Sequence, residues 1–138
     1  MDGTAVNVLT AGGVYLWRYS VVFEQACTRA RFGMLIKTVS GLELGGRVTA
    51  PHGCGITVES GQTVEVVFKF KASLAPGTYF LNAGLVELRA EGEVFLERWV
   101  DAAVFKILPG DVTVAGPVDF SIEPSLFVDN LEISEKEV

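Results

Sequence analysis

An all-β chain folded as an antiparallel sandwich is what this sequence predicts, and three observations carry the prediction. Val64, Val66, Phe68 and Phe70 alternate with Glu65, Lys69 and Lys71. That period of two puts one strand face in a core and the other in water. Glycine occurs 15 times in 138 residues, more than a helical protein carries, so many tight turns are expected. No stretch keeps a helical period over three turns, whereas short strand-like runs recur with turn signals between them, as in a sandwich.

Taken in order, Thr4–Leu9 reads as a short first strand closed by Thr10-Ala11-Gly12-Gly13. Val14–Ala26 reads as a long one, with Tyr15, Trp17, Tyr19, Val21 and Phe23 on one face and Arg18, Ser20 and Glu24 on the other. Arg31–Val39 follows, then a turn at Ser40-Gly41, the run Glu43–Gly46 and a short piece at Val48–Ala50. Pro51–Gly55 is a loop, because proline and glycine both interrupt regular structure. Gly61–Leu88 holds the alternating strand and a second one from Thr78, separated by Ser73-Leu74-Ala75-Pro76-Gly77.

Ala90–Glu93 supplies a hairpin turn around Gly92. Val94–Val100 and Ala102–Leu108 read either as a strand pair or as one long bent strand. Pro109-Gly110-Asp111 turns the chain into strands at Val112–Val114 and Asp119–Ile122, on either side of Gly116-Pro117. The apolar residues of Leu126–Ile133 are unevenly spaced and leave its state open. Residues 1–138 read as a single domain, with no internal repeat and no low-complexity linker.

Charge narrows the function classes. The net charge is −6, and Asp119–Val138 holds six acids against Lys136 alone, so the body is close to neutral. Such a chain lacks the basic stripe that a phosphate backbone demands, which argues against nucleic acid; the tail reads as a solvated terminus. Apolar runs such as Ala102–Phe105 are far shorter than the roughly 18 residues of a membrane helix. The start, MDGTAVNVL, has neither the basic nor the apolar region of a secretory signal. Cys27 and Cys54 are therefore expected as free thiols in a reducing compartment, a disulfide being the other possibility.

Catalytic constellations are thin. His52 is the only histidine and sits in a glycine-rich loop beside Cys54, with too few companions for a nucleophilic triad or a metal site. The carboxylate pairs Glu91/Glu93 and Glu97/Asp101 fall near turns or on alternating faces, where solvated charge is the ordinary reading. No phosphate-cradling G-x-x-x-x-G-K-[ST] motif occurs. No catalytic residue, cofactor or metal is expected.

Aromatic residues remain. Tyr15, Trp17 and Tyr19 recur at alternate positions, a row of rings suited to stacking on sugars, with Arg18 beside it for hydroxyl hydrogen bonds. The same row is equally readable as core, above all at Tyr19. Trp99, between Arg98 and Val100 and near Glu97 and Asp101, poses the same choice. Asn82 and Gly84 interrupt a bulky strand, as a shallow depression would, or as a gap filled by a neighbouring side chain. Tyr15, Trp17, Arg18, Tyr19, Asn82 and Trp99 are the candidate carbohydrate-binding residues.

Three stretches, Phe32-Gly33-Met34-Leu35-Ile36-Lys37-Thr38, Leu74-Ala75-Pro76-Gly77-Thr78-Tyr79-Phe80-Leu81-Asn82-Ala83-Gly84 and Asp101-Ala102-Ala103-Val104-Phe105-Lys106-Ile107, resemble the C-terminal carbohydrate-binding domain of Wzt, the ATP-binding subunit of O-antigen polysaccharide ABC exporters. The similarity spans roughly Tyr15 to Val114, and the middle stretch is the most specific. The resemblance implies an immunoglobulin-like or jelly-roll sandwich. Its implied function is to bind a finished O-antigen polysaccharide in the cytoplasm, peripheral to the inner membrane, for the membrane subunit of the transporter. It also implies a homodimer with exchanged terminal strands, for which the acidic extension from about Asp119, and Leu126–Ile133 within it, is the candidate. The matching motifs are structural and carry no sugar-contacting residue across. A structural or adhesive immunoglobulin-like domain with a protein partner is the alternative.

Overall fold

The computed structural model describes residues 7–51, 54–111 and 113–133. Ten strands follow along the chain: β1 (Asn7–Leu9), β2 (Val14–Val22), β3 (Cys27–Thr38), β4 (Glu43–Val48), β5 (Ile56–Val58), β6 (Thr63–Lys71), β7 (Gly77–Arg89), β8 (Gly92–Ile107), β9 (Leu126–Val128) and β10 (Leu131–Ile133). Among the described residues no helix is long and apolar enough to cross a membrane.

Six strands make one sheet, ordered β1-β8-β7-β3-β4, with β5 pairing β3 as well. β3 gives one edge to β7 and shares the other, β4 taking Gly33–Lys37 and β5 taking Cys27 and Ala30. Every pair is antiparallel except β1 with β8, which run parallel through Asn7↔Phe105 and Leu9↔Ile107. β2 and β6 pair from Val14↔Lys71 to Val22↔Thr63 and form the second layer.

The pleat decides what fills the space between the layers. Odd positions of β7, namely Tyr79, Leu81, Ala83 and Leu85, are buried, as are Ala30, Phe32 and Met34 at even positions of β3. They meet Val21 and Val66, flanked by Tyr19, Val64 and Phe68, at one end and Tyr15, Trp17 and Phe70 at the other. The result is an all-β sandwich with a continuous apolar core.

One corner is locked by a single hydroxyl. Tyr79 Oη donates to the Ala75 carbonyl at 2.6 Å, the tyrosine-corner arrangement of immunoglobulin-like sandwiches. The same loop clamps the chain that leaves β8: Ala75 N–H donates to Pro117 O at 2.9 Å, and Asp119 N–H to Ser73 O at 2.9 Å.

Several boundaries differ from the sequence expectation. β2 stops at Val22, not Ala26, because Phe23 exchanges backbone hydrogen bonds with the Gly61-Gln62 turn and buries its ring. β3 begins at Cys27, four residues before Arg31, with a register shift between Cys27 and Ala30 where Arg29 has a φ of 55°. Of the Val48–Ala50 piece only Val48 is strand, as the last residue of β4, while Thr49 and Ala50 bend away, and β5 was not anticipated. Val94–Val100 and Ala102–Leu108 form one bent strand.

Asp119–Ile122 is not a strand: Ser121 has a φ of 59°, and Phe120 and Ile122 stand 77% and 81% exposed. Thr4–Val6, His52-Gly53 and Val112 lie outside the described residues, and Thr113-Val114 is irregular. Leu126–Ile133 is a hairpin whose Asp129 and Asn130 have φ of 54° and 68°, the left-handed pair a two-residue primed turn requires.

Candidate functional site

The aromatic row faces inward. Tyr15 accepts the Thr10 N–H at 2.7 Å, and its ring lies 6.3 Å from Phe70. Trp17 packs against the cluster of Met34, Leu81 and Phe105, with its ring 5.2 Å from Tyr19. Tyr19 donates its hydroxyl to the Gly33 carbonyl at 2.8 Å, and burial pushes the phenol up to about 12. Trp99 meets Tyr19 from the opposite sheet at 6.1 Å. These rings join the two layers. Arg18 points to the outside of the β2–β6 layer, 3.8 Å from Glu65.

The concave feature of chemical interest lies on the other face of the six-stranded sheet. Gly33 of β3 and Gly84 of β7 are direct cross-strand partners at outward positions, so two adjacent sites present backbone where side chains would stand. β8 borders this bare floor and departs from regular pairing on both sides, with register shifts between Leu81 and Ala83 and between Leu85 and Val86. Bulges of this kind re-aim side chains and are common beside binding sites. A hollow of about 180 Å³ results, lined by Gly33, Leu35, Asn82, Gly84, Phe95, Arg98, Trp99 and Val100, together with Met34 and Ala83.

Each wall has a local cause. Phe95 is 60% exposed, and a Cβ on Gly84 would lie 3.5 Å from one edge of its ring, so the missing side chain leaves that edge uncovered. The Arg98 guanidinium sits 4.6 Å above the Phe95 centroid, a cation–π contact that orients the fork while leaving its N–H edges available. At the far end Asp101, at a φ of 54°, pairs its carboxylate with Lys37 Nζ at 2.9 Å. Its N–H donates to Asn82 Oδ1 at 2.8 Å, and the amino end of that carboxamide still carries two donors.

Around the hollow, the acids and bases of the sheet are mostly spent on each other. Buried Arg31 donates Nε and Nη2 to the Ala50 carbonyl at 3.1 and 3.0 Å, and Nη1 to Glu93, which ties the β4–β5 connection to the β7–β8 hairpin. Glu87 accepts from Arg89 Nε at 2.9 Å and from the Thr28 N–H at 3.0 Å; the Arg89 bond leads the effects that hold its carboxyl below the ordinary value. Cys27 and Cys54 are free, and burial pushes the Cys27 thiol up to about 12.

Of the six residues singled out from sequence, the fold brings Asn82 and Trp99 to the hollow and leaves Tyr15, Trp17, Tyr19 and Arg18 elsewhere. Gly33, Phe95 and Arg98, which also line the hollow, were not among the six. Asn82 and Gly84 were visible as an interruption in a bulky strand. The signal overlooked was a second glycine in Phe32-Gly33-Met34, whose importance depends on which strand lies beside it.

Comparison with known proteins gives a consistent result. The family model of the Wzt C-terminal domain matches residues 1–120, which contains the whole region of sequence resemblance. A solved structure described as the crystal structure of the C-terminal domain of wzt superposes with a TM-score of 0.75 at 24% identity, covering 86% of this chain and 73% of that one. No curated protein matches. With motifs, fold and family model in agreement, the chain belongs to the Wzt C-terminal domain family.

Proposed function

We propose that this chain is a non-catalytic polysaccharide-binding module that holds a finished O-antigen glycan in the cytoplasm for an ABC exporter, reaching the membrane through its full-length subunit. Family membership supports the setting. The observation that carries the site is the Gly33–Gly84 floor beside the exposed Phe95 ring. A sugar is amphipathic: its axial C–H groups stack on an aromatic face, and its hydroxyls need donors and acceptors at the rim. Phe95 supplies the face, Asn82 and Arg98 supply donors, and the two glycines admit the ring. In this reading the Tyr15, Trp17, Tyr19 and Trp99 rings hold the two layers in register behind the floor, and Arg18 is peripheral.

Dimerisation belongs to the same proposal. Leu126, Phe127, Val128, Leu131 and Ile133 are 44–71% exposed on a hairpin that pairs only with itself among the described residues. So much uncovered apolar surface on a short hairpin calls for a partner. A second copy, exchanging the extension from about Asp119, supplies one and presents two hollows to one polymer.

Affinity electrophoresis through gels containing bacterial O-polysaccharides tests the module. The wild-type chain is expected to be retarded by at least one of them, and Phe95→Ala to run unretarded while melting within a few degrees of wild type. Absence of retardation on every polysaccharide, together with a stable complex with another protein, would replace this reading by the adhesive one.

A further inference from the structure

We propose that a cleft at one end of the six-stranded sheet docks an extended, apolar and basic peptide segment of a partner protein, added as a strand along β1. The cleft, of about 1000 Å³, lies between the end of β1 and the chain that leaves β8. It shares no residue with the hollow, so the proposal goes beyond the glycan reading and stands apart from it.

Three observations meet there. β1 is the outermost strand of its sheet; one edge pairs with β8, and among the described residues the other has no partner. Such an edge offers backbone donors and acceptors to a further strand. β1 is only three residues long, so side-chain burial has to supply most of the affinity.

The second observation is that burial is on offer beside this edge. Val8, Leu108, Phe120 and Ile122 line the cleft and stand 58–81% exposed. The Asp119–Ser73 backbone bond anchors the outer wall, and the φ of 59° at Ser121 turns it, with Phe120 and Ile122 left uncovered. Four large apolar side chains around one cleft form a patch rather than scattered surface residues.

Charge is the third observation, and it names the occupant. Every charged residue of the lining is an acid: Asp111, Asp119 and Glu123. None of them has an ion pair among the described residues. Asp119 accepts the Ser121 N–H through one oxygen at 2.8 Å, which leaves its other oxygen to a ligand. Lys106 pairs with Val8 in the ladder but does not line the cleft. An acidic rim attracts lysine and arginine and repels carboxylates and phosphates. The Leu126–Ile133 hairpin of a second copy carries Asp129 and Glu132 and no base, so like charges would meet if it lay here.

Fluorescence anisotropy on the intact chain tests this with labelled peptides of about eight residues, the length of a strand. One alternates valine with lysine, one alternates valine with glutamate, and a third is the lysine peptide with methylated backbone amides. The lysine peptide is expected to bind about tenfold more tightly than the glutamate peptide, and methylation to weaken it. Phe120→Ser and Ile122→Ser should each cost it about tenfold while melting with wild type, because both side chains are exposed. Asp111→Asn combined with Glu123→Gln should erase the preference for lysine, and Phe95→Ala should bind the peptide as wild type does. Equal affinity for the two charges would overturn the basic partner. Full affinity in both serine variants would overturn the placement in the cleft, and a methylated peptide bound equally well would overturn strand addition. Binding that appears only after truncation behind Ser125 would give the cleft to the hairpin of a second copy and overturn the proposal, as would no binding at all.

Discussion

Asp101 gives its backbone N–H to Asn82 Oδ1 at 2.8 Å, and this bond spans the register shift between Leu81 and Ala83 in the β7–β8 pairing. Asp101 has a φ of 54°, a conformation that costs a residue with a side chain of the order of 1 kcal/mol. The Asn82 bond and the 2.9 Å contact to Lys37 offset that cost and fix the wall of the hollow. Asn82→Ala should lower stability by about 1 kcal/mol and weaken polysaccharide retention with it. Asp101→Gly should melt within a few degrees of wild type, because relief of the backbone balances the lost ion pair. Thermal melts of the two variants check both statements.

Trp17 and Phe95 are both aromatic strand residues, yet their truncations should separate cleanly. Trp17 packs into the core cluster, and Trp17→Ala should cost about 3 kcal/mol. Phe95 is 60% exposed, and Phe95→Ala should cost less than about 1 kcal/mol while removing the stacking face. Denaturant unfolding paired with affinity electrophoresis reads the two effects independently.

Two glycines make a second contrast. A Cβ on Gly46 would lie 2.1 Å from the Met34 carbonyl oxygen, whereas one on Gly84 would meet nothing closer than the Phe95 ring at 3.5 Å. Gly46→Ala should therefore lose about 3 kcal/mol through forced backbone movement. Gly84→Ala should keep its melting temperature and lose glycan affinity, because the methyl occupies the floor. A stable Gly84→Ala that binds normally would remove the hollow from consideration.

Alkali should destabilise the sandwich, because buried acidic groups ionise more readily in the unfolded chain than in the fold. Tyr19 and Cys27 are pushed up to about 12 from ordinary values of 10.0 and 9.0, chiefly by burial, and Tyr79 is raised by burial as well. All three stay neutral in the fold at pH values where they ionise in the unfolded chain. Their contribution is thus complete below about pH 9 and declines as pH rises towards 12. Glu87 has a lowered value, led by its Arg89 bond, so its contribution is present above the ordinary carboxylate range and fades as pH falls through it. Melting temperature against pH should show a plateau with a loss on each side, and Tyr79→Phe should soften the alkaline one.

The terminal hairpin bears on assembly. Among the described residues, truncation after Ser125 removes five exposed apolar side chains and no pairing with the main sheets. The shortened chain should fold with an unchanged core, as judged by near-ultraviolet circular dichroism. Light scattering should find it monomeric if the hairpin joins two copies. A truncated chain that still dimerises would assign the interface to another surface.

The sequence sufficed wherever period and turn chemistry act locally. The alternation in Val64–Phe70 made β6 a half-buried strand. The break at Pro76-Gly77 set the start of β7. The run of motifs around Pro76-Gly77-Thr78-Tyr79 placed the family, in part because Tyr79 must reach back to Ala75 to lock a corner. Even the choice among aromatic faces was half legible, since Tyr19 was the residue for which core was favoured.

Tertiary structure decided which face of each strand is buried and which strands are neighbours. An alternating strand has two faces, and its own residues do not say which one a second sheet will cover; β6, laid against β2 and over β3 and β7, turned Tyr15, Trp17 and Tyr19 inward. The hollow likewise needs Gly33 and Gly84, fifty-one positions apart in the chain, to fall opposite each other in the β3–β7 register. Register is a property of two strands together, so a cavity made by two absent side chains comes into view only when the sheet is assembled.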